Sequence, residues 1–169
     1  MTLNELNGLD RAGFSAALGQ LFEHSPWVAA ETWARRPFAD RGQLLAALLD
    51  TLGEAAPEAQ LGLIRAHPDL AGKLARAGAL TSQSAREQAG AGLDRLSDEE
   101  FERFHALNTA YREKFGFPFI ICVRANDKGS ILAAFARRLP RDGASERAEA
   151  LRQIGEIVRY RLDDLIGDA

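Results

Sequence analysis

The chain has 169 residues, a formal net charge of −3, 46% hydrophobic and 27% charged residues, proportions ordinary for a soluble domain with a sizeable core. No Lys/Arg block stands apart from acidic neighbours, which argues against nucleic-acid binding on the usual electrostatic terms. The single cysteine, Cys122, rules out an internal disulfide and a thiolate-cluster metal site. The longest apolar runs fall far short of a membrane span, and Met1 to Asp10 lacks the basic start and apolar stretch of a signal peptide, so no membrane partner and a cytoplasmic location are expected. Lysine is confined to Lys73, Lys114 and Lys128, few candidates for a Schiff base.

Taken in order, the chain reads as helical nearly throughout. Asp10 is a candidate N-cap for a helix carrying Phe14, Ala17, Leu18 and Leu21 at helical spacing. Ser25 and Pro26 restart the chain as N-cap and first helical residue, with Trp27, Ala30, Trp33 and Ala34 on one face until Arg36-Pro37 stops it. Leu44, Leu45, Leu48, Leu49 and Leu52 form a third stripe ending at Gly53. Pro57 opens a segment that leads to His67, and because the residue before a proline is pushed out of the α region, that helix should end at or near His67-Pro68. A small-residue stretch, Gly72 to Leu80, follows with Gly78 in a loop, and Thr81 to Ser84 offers several N-caps. Ser97-Asp98-Glu99-Glu100 is a capping box in sequence, with Phe101, Phe104, Asn108, Tyr111 and Phe115 following on one face, and Gly116 and Pro118 end that helix. The last long helix should run from about Gly143 to Leu165, with Leu151, Ile154, Val158, Leu162 and Leu165 inward. The exception is Phe117 to Val123, β-branched, aromatic and extended-looking. It has no convincing partner strand, so it is expected to be an extended buried connection whose backbone donors need partners, a pocket wall. The expected fold is all-α, a single compact multi-helix domain over residues 1–169 with one non-helical buried segment near 117–123.

Chemistry concentrates in two places. His67 stands at a helix C-terminus, where the macrodipole favours a cation, with Asp69 two residues on; both effects would raise its pKa toward neutrality, as suits a proton donor. The alternative is a histidine that only caps the helix. Ser84, Glu87 and Gln88 stand at i, i+3 and i+4 and so share a helix face, offering a hydroxyl, a carboxylate and a carboxamide to a ligand rich in ureido and carbonyl groups. Ser84-Ala85-Arg86-Glu87 is equally a capping-box pattern, which would fold Glu87 back on its own backbone. His24 and His105 have no ligand-spaced partner and read as surface or helix-edge residues. Cys122 is a conceivable nucleophile but reads better as a small apolar residue in a buried run. Asn108 is either a ligand contact or a buried amide satisfied by backbone, the second being favoured.

Together, His67-Pro68-Asp69-Leu70-Ala71-Gly72, Ser84-x-x-Glu87-Gln88 leading to Ala91-Gly92-Leu93, Asn108-x-x-Tyr111-x-x-Lys114-Phe115-Gly116-Phe117-Pro118-Phe119-Ile120, and Arg161-Leu162-x-Asp164-Leu165 resemble the family of 2-oxo-4-hydroxy-4-carboxy-5-ureidoimidazoline (OHCU) decarboxylases, enzymes of uric acid breakdown. The resemblance implies cofactor-free and metal-free decarboxylation of OHCU to (S)-allantoin, with His67 as proton donor and Glu87 as its acidic partner. It implies that Pro68, Ser84 and Gln88 line the substrate site, that the backbone of Phe119, Ile120, Ile121, Cys122 and Val123 forms a wall against the substrate, and that Arg161 meets substrate oxygens. Tyr160 departs from the leucine often found before that arginine. A homodimer is implied as well. Two other readings stand beside this one: a non-catalytic helical interaction module whose aromatic stripes form a partner groove, and a paralogue acting on a related ureido- or imidazole-carboxylate.

Overall fold

Helix starts in this protein are fixed by short polar side chains that accept from otherwise orphaned backbone amides. In the computed structural model, which describes residues 1–167 apart from the side chains of Leu74 and Arg76, Thr2 caps α1 (Leu3–Asn7) and Asp10 caps α2 (Arg11–Leu18). Asp40 caps α4 (Arg41–Glu54), whereas α5 (Pro57–Arg65) begins on a proline at its first turn. Ser97 and Glu100 form the anticipated capping box on α8 (Asp98–Phe115), and Gly116, at φ 76°, closes that helix in the left-handed region that glycine enters without penalty. Each such cap is worth about 1 kcal/mol. The final helix, α10, spans Gly143–Leu165, in agreement with the sequence reading.

Two compact units emerge from the chain, one formed by Met1–Ala66 with the residues from Gly155 onward, the other by His67–Ile154. In the first, α2 packs on α3 (Trp27–Thr32), and α3 on α4. The buried stripe of α4 is Leu44, Leu48, Thr51 and Leu52, with Leu45 and Leu49 only half-buried. Thr32 donates to the carbonyl of Val28 and meets the Thr51 hydroxyl at 2.9 Å, so the polar atoms between these helices are satisfied locally. The inward face of α3 differs from expectation: Val28, Ala29 and Thr32 are buried, while Trp27, Ala30 and Trp33 are half-buried and Ala34 exposed. Trp33 instead begins a 3-10 turn, Trp33–Arg35, and gives its ring to the Arg36 guanidinium at 4.2 Å. Pro26, not Ser25, is the N-cap of α3, and the Ser25 hydroxyl turns back to the Glu23 carbonyl.

The second unit holds α6 (Lys73–Arg76), α7 (Ser82–Gly90), α8, α9 (Lys128–Arg138) and the first half of α10. Its centre is aromatic: Phe119 stacks on Phe135 at 3.7 Å between centroids, and Tyr111 meets Phe119 edge-on at 5.2 Å. Each fully buried ring or leucine contributes about 1.5–3 kcal/mol. Helix α9 escapes the sequence reading, although Asp127 caps it through the Ser130 amide and Ile131, Ala134 and Phe135 form its buried stripe. Among the described residues there is no strand, and none of the helices is long and apolar enough to cross a membrane.

Candidate active site

The His67 loop is shaped by its own sequence and then pinned from two helices. Helix α5 ends at Arg65 with Ala66 as its C-cap, and Pro68 turns the chain out of the helical path at His67. His67 is buried, 7% exposed. Asp69, Leu70 and Ala71 each have a holder. Asp69 Oδ1 accepts from Arg112 Nη2 at 2.9 Å and Nε at 3.2 Å, so its charge is shared with a guanidinium on α8, a partner the sequence does not disclose. The Leu70 carbonyl accepts from Asn108 Nδ2 at 2.8 Å, and the Ala71 amide donates to Gln88 Oε1 at 2.9 Å. Ala71 sits at φ 49°, a left-handed conformation that a non-glycine residue adopts only where its surroundings enforce it. Gly72 is required for a different reason: a Cβ there would stand 3.0 Å from that of Asp69.

Helix α7 resolves the ambiguity at Ser84. Its N-cap is Thr81, whose hydroxyl accepts from the Ser84 amide at 3.3 Å. Ser84 therefore lies inside the helix, and the Ser84–Glu87 capping box does not form. Ser84 and Gln88 are buried on one face and Glu87 is half-buried beside them. The same helix packs against the 3-10 turn Val123–Ala125 that ends the wall segment.

That wall, Phe117 to Val123, is buried along its whole length. It is non-helical as far as Cys122, which has extended φ −71° and ψ 99°, and Val123 departs from the expectation by opening the 3-10 turn. Several of its backbone groups already have protein partners, the Cys122 and Val123 carbonyls within the turn that follows and two others from distant helices. The Ile120 carbonyl accepts from Arg138 Nη1 at 2.7 Å, and the Cys122 amide donates to Gln153 Oε1 at 2.8 Å. The reserve of unsatisfied donors is thus smaller than the sequence implies. Cys122 is buried and forms no disulfide.

Behind the wall lies a charged network with no local signature in the sequence. Arg138 Nε meets Glu146 Oε2 at 2.8 Å, with the Glu146 side chain fully buried, and Arg141 reaches the other carboxylate oxygen at 3.2 Å. The Tyr111 hydroxyl donates to the same Glu146 carboxylate. Burial, reinforced by that bond, pushes the Tyr111 phenol above its ordinary range, so it stays a donor. The Arg138 guanidinium also lies 4.2 Å from the Phe119 ring centre. Gln153, in turn, donates to Glu149 at 2.8 Å. The Arg152 guanidinium holds the Glu149 carboxyl down at about 2, against the opposing push of burial. The motif residues on α8 now acquire distinct ties: Asn108 to the His67 loop, Tyr111 to Glu146, and Lys114 to the Leu139 and Arg141 carbonyls at 2.6 and 2.9 Å. Asn108 is the buried amide the sequence favours, with one qualification: its Oδ1 has no hydrogen-bond partner.

Arg161 belongs to the first unit. It is 4% exposed, and its Nη1 faces Glu23 Oε2 at 3.3 Å and the Leu21 and Gln20 carbonyls at 3.3 and 3.4 Å. His24 is exposed, and half-buried His105 stacks on Phe101. Among the described residues, no group of three or more His, Cys, Asp or Glu side chains is placed to hold a metal ion. The rival reading, an open apolar groove, finds no support: Met1 is the one exposed large hydrophobic among the described residues, and Phe101, Phe104 and Tyr111 are buried.

Comparison with known proteins follows the same lines. A sequence model of the OHCU decarboxylase family matches residues 7–163. The chain is 40% identical over 98% of its length to a 2-oxo-4-hydroxy-4-carboxy-5-ureidoimidazoline decarboxylase of Halalkalicoccus jeotgali, covering 92% of that protein. It is 40% identical over 98% of its length to the protein of the same description from Amia calva, covering 95%. Among solved structures, an (S)-allantoin synthase superimposes with a TM-score of 0.76 at 32% identity, over 99% of this chain and 54% of the other.

Proposed function

The chain belongs to the OHCU decarboxylase family, and from that premise we propose that it converts OHCU to (S)-allantoin without a cofactor, with His67 as proton donor and Glu87 as its acidic partner. The observation that carries the assignment is the His67 loop, held at Leu70 and Ala71 by the buried side chains of Asn108 and Gln88. Such restraint is what a group must have to deliver a proton to one face of a small ring.

The chemistry asks little else of the protein. Breaking the bond between the ring carbon and its carboxylate releases carbon dioxide and leaves an electron pair, which the adjoining ring imine accepts as its nitrogen takes up a proton from solvent, giving the ring enol. The substrate is thus its own electron sink. The 4-hydroxyl then gives up its proton as its oxygen becomes a carbonyl, and the ureido-bearing carbon gains one from His67. Glu87 orients His67 or takes the hydroxyl proton. Pro68, Ser84 and Gln88 line the ring, and the backbone of Phe119 to Val123 is the wall against it. In an extended chain a residue's own N–H and C=O point to one side and its neighbour's to the other. With the Ile120 carbonyl and the Cys122 amide held from α9 and α10, the N–H and C=O of Ile121 between them are the wall groups assigned to the substrate in this proposal. Arg161 enters the proposal on family likeness, as a group that meets substrate oxygens, and so does a homodimeric assembly.

Circular dichroism of allantoin formed from freshly generated OHCU tests this reading, with wild type and His67→Asn side by side. Wild type is expected to give one optically active enantiomer. H67N should give product only at the uncatalysed rate while keeping its far-ultraviolet helical spectrum. Near-normal turnover by H67N would remove His67 from the mechanism, and racemic product from folded wild type would remove the decarboxylase reading itself.

A further inference from the structure

Helices α9 and α10 each send one buried polar side chain to the wall, and the two grip peptide groups two residues apart. Arg138, 5% exposed, donates to the Ile120 carbonyl at 2.7 Å while its guanidinium lies along the Phe119 ring. Gln153, 8% exposed, accepts from the Cys122 amide at 2.8 Å. Neither grip is accidental in direction. Arg138 is fixed by its charge-assisted bond to fully buried Glu146, whose second oxygen meets Arg141. The Gln153 carboxamide is oriented because its Nε2 donates to Glu149, a carboxylate held ionised by Arg152; the amide oxygen must then face Cys122. A carboxamide without that neighbour could present either end.

We propose that Arg138 and Gln153 are positioning residues for the decarboxylation: by holding Ile120 and Cys122 from behind, they set the rotation of the intervening peptide groups and so the presentation of Ile121 to the substrate. The inference rests on the functional reading above and adds to it a support layer whose side chains touch no reacting atom. An interaction made equally with substrate and transition state raises KM when lost and leaves kcat nearly unchanged. Loss of wall orientation carries that signature, because the proton donor on its separate loop is untouched.

The decisive variants are Gln153→Met, which keeps length and removes the acceptor, and Arg138→Lys, which keeps the charge against Glu146 and shortens the reach to Ile120. Steady-state kinetics on OHCU are read together with amide hydrogen exchange at residues 120–122. In Q153M, KM is expected to rise by about tenfold with kcat within about twofold of wild type, and the Cys122 amide to exchange faster. R138K is expected to move KM in the same direction. Because R138K keeps the buried charge pair, it carries the test if Q153M fails to fold. Unchanged KM in a folded variant whose residue 120–122 amides exchange faster would overturn the inference alone. An equal fall in kcat and kcat/KM would also overturn it, since that pattern belongs to a transition-state contact. Absence of OHCU turnover in wild type would overturn the functional reading, and this inference with it.

Discussion

Among the described residues, each unit of the molecule has a deeply buried arginine–glutamate pair, and the two pairs are built differently. In the second unit, Arg138 and Glu146 meet at 2.8 Å, with side-chain exposures of 6% and 0%, and further partners at Tyr111, Arg141 and Ile120 tie them to other segments. In the first, Arg161 and Glu23 are as deeply placed, 3% exposed each, yet Nη1 of Arg161 divides itself among Glu23 and two carbonyls at 3.3–3.4 Å. A buried ion pair is favourable only when geometry and additional hydrogen bonds offset the loss of water. The Arg138 pair meets that condition through short bonds to several partners and acts as a strut. The Arg161 Nη1 contacts are longer and are spread over one carboxylate and two carbonyls.

This contrast can be broken by experiment. The largest effect is expected from Glu146→Gln, which leaves the Arg138 charge buried without its carboxylate and should cost about 3–5 kcal/mol of stability in urea unfolding. Glu23→Gln should cost less, about 1–3 kcal/mol, and shift KM for OHCU more than it shifts the unfolding midpoint. The reverse order of stabilities would remove the distinction between the two pairs. Next in size is Asn108→Ala, which strands the buried Leu70 carbonyl and should cost about 1–3 kcal/mol. It should also lower kcat, since the tether of the His67 loop is lost. Ser97→Ala, which removes only the α8 cap, should cost about 1 kcal/mol and leave kinetics unchanged. The smallest effect is one of pH. Glu149 is held below its ordinary value of 4.5, at about 2, so the folded state sheds this proton more readily than the unfolded chain. Its contribution is complete above pH 4.5 and is lost as pH falls through about 2. Glu149→Gln should flatten that part of the acid unfolding curve.

What the sequence can disclose follows from range. Asp10, Pro57, Ser97 and Gly116 act on backbone three or four residues away, and each marks a helix end where the structure has one. Phe117 to Val123 betrays its departure from helix by composition alone. Helix α9 stays hidden although its cap, Asp127, is plain to read, because its apolar stripe is short and flanked by arginines. Ser84 is settled only by the structure, since two capping registers fit the same four residues until Thr81 takes the position. The support layer is out of reach for a deeper reason. Tyr111 and Glu146 lie 35 residues apart, Asn108 and Leu70 38, Arg161 and Glu23 138, and no periodicity encodes which distant partner a buried polar group will find. The family motifs name Asn108, Tyr111 and Lys114 without saying what they hold.

Ala71 carries a consequence for anyone who would engineer this protein. A left-handed alanine sacrifices about 1–2 kcal/mol relative to an unstrained conformation, so a screen for thermal tolerance should favour Ala71→Gly. That change would set a second glycine directly before Gly72, relax the backbone four residues from His67 and let the loop wander between turnovers. Variants that gain heat resistance there are expected to surrender turnover, and the position marks where selection for robustness and selection for catalysis pull in opposite directions.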